Sequence, residues 1–445
     1  MSKRIKRGLA TCCVALALLT GSFTPTTQRA AAQVPAHSAR KATASASAAT
    51  ASAASVANLT AGVLREASDV RQLSILRPVK SGTQSRAEIE RMLVRNFGEE
   101  SSPEEMRAGE LSLKKLGLLP QDFQLRNFMI SVLTEQILGY YDPKTRQFYL
   151  AGWIDPEGQE TVIEHELTHA LQDQHFNLLR FEKPRKGEAD ADAAVHALIE
   201  GDATWSMTLY AMRDPRRVLD MMKSVGATST TKIDSAPRAL RETLTFPYEQ
   251  GMLWVRQLYQ RGGWKSVDEA FTNLPQSTEQ IMHAEKYFAH ESPVKIDVPD
   301  LAPTLGAGWR RIDTDVNGEW GYYLILDQFL NDEKISRTAA AGWGGDRYAL
   351  YENSQSRETV MAQLTAWDTE QDAQEFFDAY VKRTALRYKT KSDAGDLRPD
   401  SLRITWHTPE GVAVIERSGA RVAILEGLNA KADTDKLMRL LAATH

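Results

Sequence analysis

Three residues in one short stretch carry the chemistry of this chain. In Thr161 to His175, TVIEHELTHALQDQH, two histidines, His165 and His169, stand four positions apart, and Glu166 follows the first of them. On a helix that separation is about one turn, so both imidazoles can offer a ring nitrogen to one metal ion while the carboxylate sits beside them to accept a proton. That combination suits hydrolysis by an activated water.

The helical wheel separates two faces. Ile163, Leu167, Ala170 and Leu171 form an apolar stripe, while His165, His169 and Asp173 lie on the other side with Glu166 at its margin. Burying two imidazoles that flank a carboxylate is costly unless something binds them. The sequence therefore predicts a helix with a core face and a chemical face.

A zinc site needs a third protein ligand. His175 has the spacing of the pattern HExxHxxGxxH, but Gln172 stands where that pattern needs a glycine to turn the backbone. The helix then continues, and six residues at 1.5 Å each carry His175 about 9 Å beyond His169, out of reach. A second helical segment, Glu188 to Met212, is better placed to contribute. On its wheel Glu200 shares a face with Ala189, Ala193, His196, Ala197, Ala203, Thr204 and Met207, mostly small residues that let two helices approach closely. Glu188, Asp190, Asp192 and His196 are rival ligands on the same segment.

HELTH followed by Glu200 in a second helix resembles the gluzincin group of zinc metallopeptidases over about residues 140 to 210. The longer strings HELTHALQDQHF and ALIEGDAT resemble a secreted bacterial family of zinc peptidases. The resemblance implies that His165, His169 and Glu200 hold Zn²⁺ and that Glu166 is the general base. Many gluzincins also place an acid four residues after the ligand glutamate to orient a histidine. Here that position is Thr204, and Asp202 points away on a regular helix, which leaves Asp173 as the alternative. A group that stabilises the oxyanion is also needed, usually His or Tyr from a later helical segment. Tyr248, in a Phe246 to Gly251 stretch that opens a helix to about Arg261, is one candidate. His283, after a Ser277/Gln280 capping pattern and on one face with Tyr287, is the other.

These residues need elements to position them. Ser85 with Glu88, and Ser102-Pro103 with Glu105, predict helices near 86–97 and 103–116, and a third is expected from Phe123 to Leu138. Gly139 to Leu150 reads as a hairpin turning at Asp142-Pro143, just before the histidine helix. Its second strand, Phe148 to Ala151, is the expected edge for pairing with a substrate backbone. Gly226 to Arg238 reads as a flexible loop.

At the other end of the scale, MSKRIKR and the apolar run Gly8 to Phe23, ending near Ala30-Ala31-Ala32, read as a secretory signal peptide over residues 1–32. The apolar run is too short to span a membrane. Both cysteines, Cys12 and Cys13, lie in it, so the mature chain has no disulfide and no thiolate ligand. Cleavage removes five basic residues and no acid, which moves the net charge from -4 to -9. Nucleic acid is an unsuitable partner for such a chain.

Residues 33–58 are Ala/Ser-rich and are expected to form a disordered linker, with order starting near Leu59. The rest is long enough for two cores. The sequence predicts an α+β protein: a mostly helical zincin-like domain over 59–295 with a small hairpin sheet, then an α+β domain over 300–445 rich in antiparallel hairpins. In the latter Gly342-Trp343-Gly344-Gly345 precedes a strand rather than a helix, which argues for a turn and against a phosphate cradle. The expected protein is a secreted or periplasmic zinc peptidase acting on a protein or peptide substrate, without a membrane span once mature. The competing expectation is a catalytically silent metal-binding or interaction scaffold, and retention of Glu166 favours the enzyme.

Overall fold

The computed structural model describes residues 13–16, 53–156, 158–181, 185–227, 231–393, 396–398 and 401–443. The expected signal peptide and linker lie outside these, except for residues 13–16 and 53–58. A helix from Ala53 already spans Leu59, where the sequence placed the start of the ordered part. The chain folds as α+β.

A four-stranded sheet and its helices occupy the first part. Strands β1 (Cys13–Leu16), β2 (Lys80–Gln84), β3 (Ile137–Asp142) and β4 (Gln147–Ala151) lie in the order β1-β3-β4-β2. The hairpin β3–β4 forms as the turn residues predict, with Tyr141 opposite Phe148. β4 is not an edge, however: β2 pairs with it in parallel, Ser81 against Phe148 and Thr83 against Leu150. The expected substrate edge at Phe148 to Ala151 is therefore used up inside the sheet. A pairing of β2, some 65 residues upstream by sequence numbering, was invisible to local pattern.

The helices are α1 (Ala53–Arg71), α2 (Arg86–Glu100), α3 (Pro103–Lys115), α4 (Leu125–Gln136), α5 (Glu160–Phe176), α6 (Ala189–Met212), α7 (Pro215–Ala227) and α8 (Arg238–Ala270). Ser85 and Ser102 cap α2 and α3 with the reciprocal Glu88 and Glu105 bonds that the sequence announces. α8 does not start at Phe246 but at Arg238, so Pro247 lies inside it, and the helix axis breaks at Gly262 and Gly263. The loop expected over 226–238 contains a helical turn, Thr231–Asp234; residues 228–230 fall outside the described set.

Two short helices follow, α9 (Thr278–Met282) and α10 (Ala284–Phe288), interrupted at His283, whose backbone (φ -127°, ψ 82°) is not helical. That break separates His283 from Tyr287. Tyr287 instead packs edge-on against Trp254 and donates its hydroxyl to the Asn273 carbonyl.

The remaining residues form β5 (Trp309–Asp315), α11 (Gly318–Leu330), α12 (Glu333–Ala340), β6 (Trp343–Asn353), β7 (Thr359–Trp367), α13 (Glu370–Tyr388), β8 (Asp396–Arg398), β9 (Ser401–Thr408), β10 (Gly411–Ser418), β11 (Arg421–Leu428) and α14 (Thr434–Ala442). The sheet is antiparallel throughout, ordered β5-β6-β7-β11-β10-β9-β8. α13 is opened by Thr369 and Asp372, whose side chains cap each other's backbone N–H groups. Gly345 lies in β6 and lets the backbone of Val294 cross it: a Cβ there would stand 2.3 Å from the Val294 oxygen.

Segment 103–116, grouped by sequence with the first domain, is bonded to this second sheet. Arg107 pairs with Glu352 at 2.5 Å, Ser112 donates to Asp313 at 2.8 Å, and Arg383 donates to the Leu116 carbonyl at 2.5 Å. One cluster of buried apolar residues runs from Ile89 and Leu133 through Trp254 and Trp320 to Trp406 and Ile424. Among the described residues no helix is long and apolar enough to cross a membrane.

Candidate metal centre

The histidine helix α5 is oriented by its apolar stripe. Ile163, Leu167 and Leu171 pack with Val63, Leu64, Ala67 and Val70 of α1 and with Phe148 and Leu150 of β4. Burying that stripe, about 2 kcal/mol per large aliphatic side chain, turns the other face toward α6. α6 is pinned at its start, where the Ala189 N–H donates to Asp315 (2.8 Å) and Asp190 accepts from Thr278 (2.6 and 3.0 Å).

Further along, the small residues of α6 do what small residues permit, although their closest partner is α8. A Cβ on Gly201 would lie 2.2 Å from the Gly251 carbonyl carbon, and one on Gly251 would lie 2.2 Å from the Ala197 oxygen. Backbone meets backbone there. Glu200, the neighbour of Gly201, is thereby fixed in position between α8 and α5.

The three candidate ligands picked out by spacing and by resemblance converge. His165 Nε2 lies 3.2 Å from Glu200 Oε2, His169 Nε2 lies 3.4 Å from the same oxygen, and the two Nε2 atoms are 3.2 Å apart. The rings meet edge to face at 88°. One ligand atom from each residue lies within 4.8 Å of the others, and all three side chains are buried. Burial opposes charge on Glu200, but the two imidazoles that face it win and hold its carboxyl far below the ordinary carboxylate range. Burial likewise pushes His165 below the usual imidazole value, against the pull of Glu200.

Glu200 Oε1 is buried without a hydrogen-bond partner. The nearest cationic candidate, His196 Nε2, is 3.9 Å away, beyond hydrogen-bond range. A buried carboxylate oxygen that lacks a donor, beside two ring nitrogens whose lone pairs can converge, fits a cation better than it fits a packed core. Two nitrogens and one oxygen suit zinc.

Three of the four rival ligands are committed elsewhere, and His196 stands beside Glu200 at 3.9 Å. Glu188 pairs with Arg347 at 3.3 Å, Asp190 holds Thr278, and Asp192 takes the Arg185 guanidinium at 3.0 Å. His175 donates to or accepts from no member of the trio; its Nε2 is 2.8 Å from the Ser74 carbonyl. Asp173 accepts from Tyr141, Arg77 and the Leu178 N–H, so it does not orient a histidine of the trio.

Glu166 is fully buried, and its Oε2 accepts from the Tyr141 N–H of β3 at 2.8 Å. The Glu166 carboxylate is thus tied to the strand beside it. Of the two oxyanion candidates, Tyr248 is at the site: its ring stacks on His165 with centroids 6.1 Å apart. His283 is not brought there. Its Nε2 is 2.9 Å from Glu319 and its Nδ1 3.7 Å from Glu285, because the backbone break after α9 turns it toward α11.

Sequence reasoning missed the side chain that touches the second histidine. His169 Nδ1 is 2.8 Å from Gln172 Oε1, and Gln172 Nε2 lies 2.8 Å from Asp202 and 3.0 Å from the Ile199 carbonyl. Asp202, expected to point away, in fact points back toward α5 and pairs with the fully buried Arg71 at 2.6 Å. Thr204 leaves its hydroxyl oxygen without a partner and orients nothing. The available signal was the i, i+3 spacing of His169 and Gln172 on one helix face.

A second acidic group, Glu279, Glu291 and Asp368, also satisfies metal spacing. Lys286 Nζ already sits among all three, at 2.6, 2.8 and 2.5 Å, and is the cation there.

Residues 305–438 match a family described as a domain of unknown function (DUF8575), which covers all of the seven-stranded sheet and none of the trio. No curated protein matches the chain, and no solved structure does.

Proposed function

We propose that this chain is an exported zinc-dependent peptidase of the gluzincin kind, hydrolysing peptide bonds in a protein or peptide substrate. The observation that carries the reading is the meeting of His165, His169 and Glu200 around one point, with Glu200 Oε1 buried without a hydrogen-bond donor.

The three side chains would hold the ion, which when bound supplies Lewis acidity, lowering the pKa of a water and polarising the substrate carbonyl. Glu166 accepts the proton as the water oxygen bonds to the carbonyl carbon. The same carboxyl then delivers that proton to the amide nitrogen as the C–N bond breaks. The Tyr141 N–H on Oε2 keeps the carboxylate aimed. Tyr248, whose ring stacks on His165, is the residue assigned here to hydrogen-bond the oxyanion.

Substrate backbone pairing moves from β4 to β3. In the full chain β1 runs antiparallel along the free side of β3, Cys13 opposite Tyr141 and Val14 opposite Tyr140. Removal of a signal peptide after about residue 32 takes β1 with it and opens that side of β3, next to Glu166, to an extended peptide.

The test is metal analysis of the chain from Gln33 onward, together with cleavage of an unfolded protein. Stoichiometric zinc and cleavage are expected, and Glu166→Gln should keep the zinc while cutting the rate by about 10²–10⁴-fold. Zinc without any Glu166-dependent cleavage would replace the enzyme reading with the scaffold reading.

A further inference from the structure

We propose that Gln172 is a positioning residue that selects the tautomer of His169, and that Asp202 sets the direction of Gln172 in turn. This deepens the metal reading above and rests on it.

An amide side chain has a donor end and an acceptor end, and its partners decide which way it faces. Gln172 Nε2 meets the Ile199 carbonyl at 3.0 Å and Asp202 Oδ2 at 2.8 Å. A backbone carbonyl can only accept, and the other oxygen of Asp202 already takes the Arg71 Nε–H at 2.6 Å. Arg71 is itself locked, its guanidinium 4.3 Å over the Trp264 ring and its Nη2 on Asp268. The donor end of Gln172 is therefore fixed toward α6.

Its acceptor end then faces His169 Nδ1 at 2.8 Å, a contact that is a hydrogen bond only if Nδ1 carries the proton. A neutral imidazole has one N–H. His169 Nε2 is left with its lone pair directed at the space shared with His165 Nε2 and Glu200 Oε2. A ligand nitrogen is prepared before any ion arrives. Arg71, the last residue of α1, reaches the centre through Asp202 and Gln172 without touching it.

The sharpest probe is Asp202→Asn. Arg71 would donate into the new amide oxygen, which turns the new NH₂ toward the NH₂ of Gln172. Gln172 relieves that clash by rotating, giving up its bond to the Ile199 carbonyl, and then presents a donor to His169 Nδ1, which demands the opposite tautomer. Zinc affinity, measured by competition with a chelator, should fall roughly 10- to 100-fold. Gln172→Leu, which removes the hydrogen bond, should fall in the same range. The double variant should bind zinc no more weakly than Gln172→Leu alone, because the Asp202→Asn change acts only through Gln172.

The second readout needs no metal. In the zinc-free chain with ¹⁵N-labelled histidine, His169 should show a protonated Nδ1 and a bare Nε2, and Asp202→Asn should reverse them. Wild-type zinc affinity in a folded Asp202→Asn, losses that add in the double variant, or a protonated Nε2 in the zinc-free wild type would each overturn the proposal. Should Asp202→Asn fail to fold, the wild-type tautomer decides. Failure of the wild-type chain to bind zinc would remove the metal reading, and the tautomer measurement would still decide this one.

Discussion

Glu200 in the helical part and Glu426 in the seven-stranded sheet are both buried glutamates, and they keep opposite company. Glu426 receives Arg383 at 2.9 Å on one oxygen and the Tyr380 hydroxyl at 3.0 Å on the other. Burial opposes its charge, but the Arg383 and Arg387 guanidinium groups hold its carboxyl below the ordinary range. Its counter-charge is built into the chain. Glu200 faces two imidazoles with one oxygen and has no hydrogen-bond donor on the other, the His196 ring standing off at 3.9 Å. A charge whose partners are all supplied belongs to the architecture, whereas one with a missing partner marks a place prepared for something from outside.

The comparison predicts that the two glutamates fail in different ways. Glu200→Gln should weaken zinc binding by at least about 100-fold, more than loss of an orienting group, since a ligand itself is removed. The zinc-free variant should lose less stability than Glu426→Gln loses, because the imidazoles that face Glu200 can give up their protons when the carboxylate goes, whereas Arg383 stays charged. Chelator competition and thermal melts measure the two quantities. Retained zinc affinity would dissolve the distinction between the two glutamates.

Glu426→Gln should do the reverse. It strands Arg383 in the core and should cost about 3–5 kcal/mol in a denaturant titration, with zinc affinity unchanged in the fraction that folds. A loss of zinc affinity in that variant would mean that the sheet and the metal centre are coupled.

The elements legible in the sequence were those specified locally. Capping pairs such as Ser85/Glu88 and the Asp142-Pro143 turn are complete within a few residues, so helices and hairpin emerged close to their true bounds. The trio was legible because His165 and His169 are one turn apart and Glu200 could be reached through resemblance. What escaped depends on distant pairing. β2 closes off β4, Arg71 reaches across to Asp202, and α3 leaves its sequence neighbours to pack on the second sheet. Gln172 was visible only as a glycine that was missing. His283 was misplaced because the φ/ψ break that turns it toward Glu319 has no signature in TEQIMHAEKY.

His283 and Glu319 form a third case, between the other two. Glu319 is almost fully buried and burial pushes its carboxyl up, while a hydrogen bond to Glu319 pushes His283 above the usual imidazole value of 6.5. Because the folded state raises the histidine pKa, the stabilisation is complete below about pH 6.5 and is lost as pH rises through the folded value. The His283 side chain is one-third exposed, so solvent screens the pair and the contribution is modest, about 1–2 kcal/mol. Melts of wild type and His283→Gln should therefore differ most near pH 6 and converge toward pH 9. Zinc affinity should be equal in the two at each pH, because Glu319 and not the trio holds this ring. A gap in stability that stayed constant with pH would mean that His283 is neutral and merely packed. A gap in zinc affinity would return it to the metal centre and place this pair with Glu200 rather than Glu426.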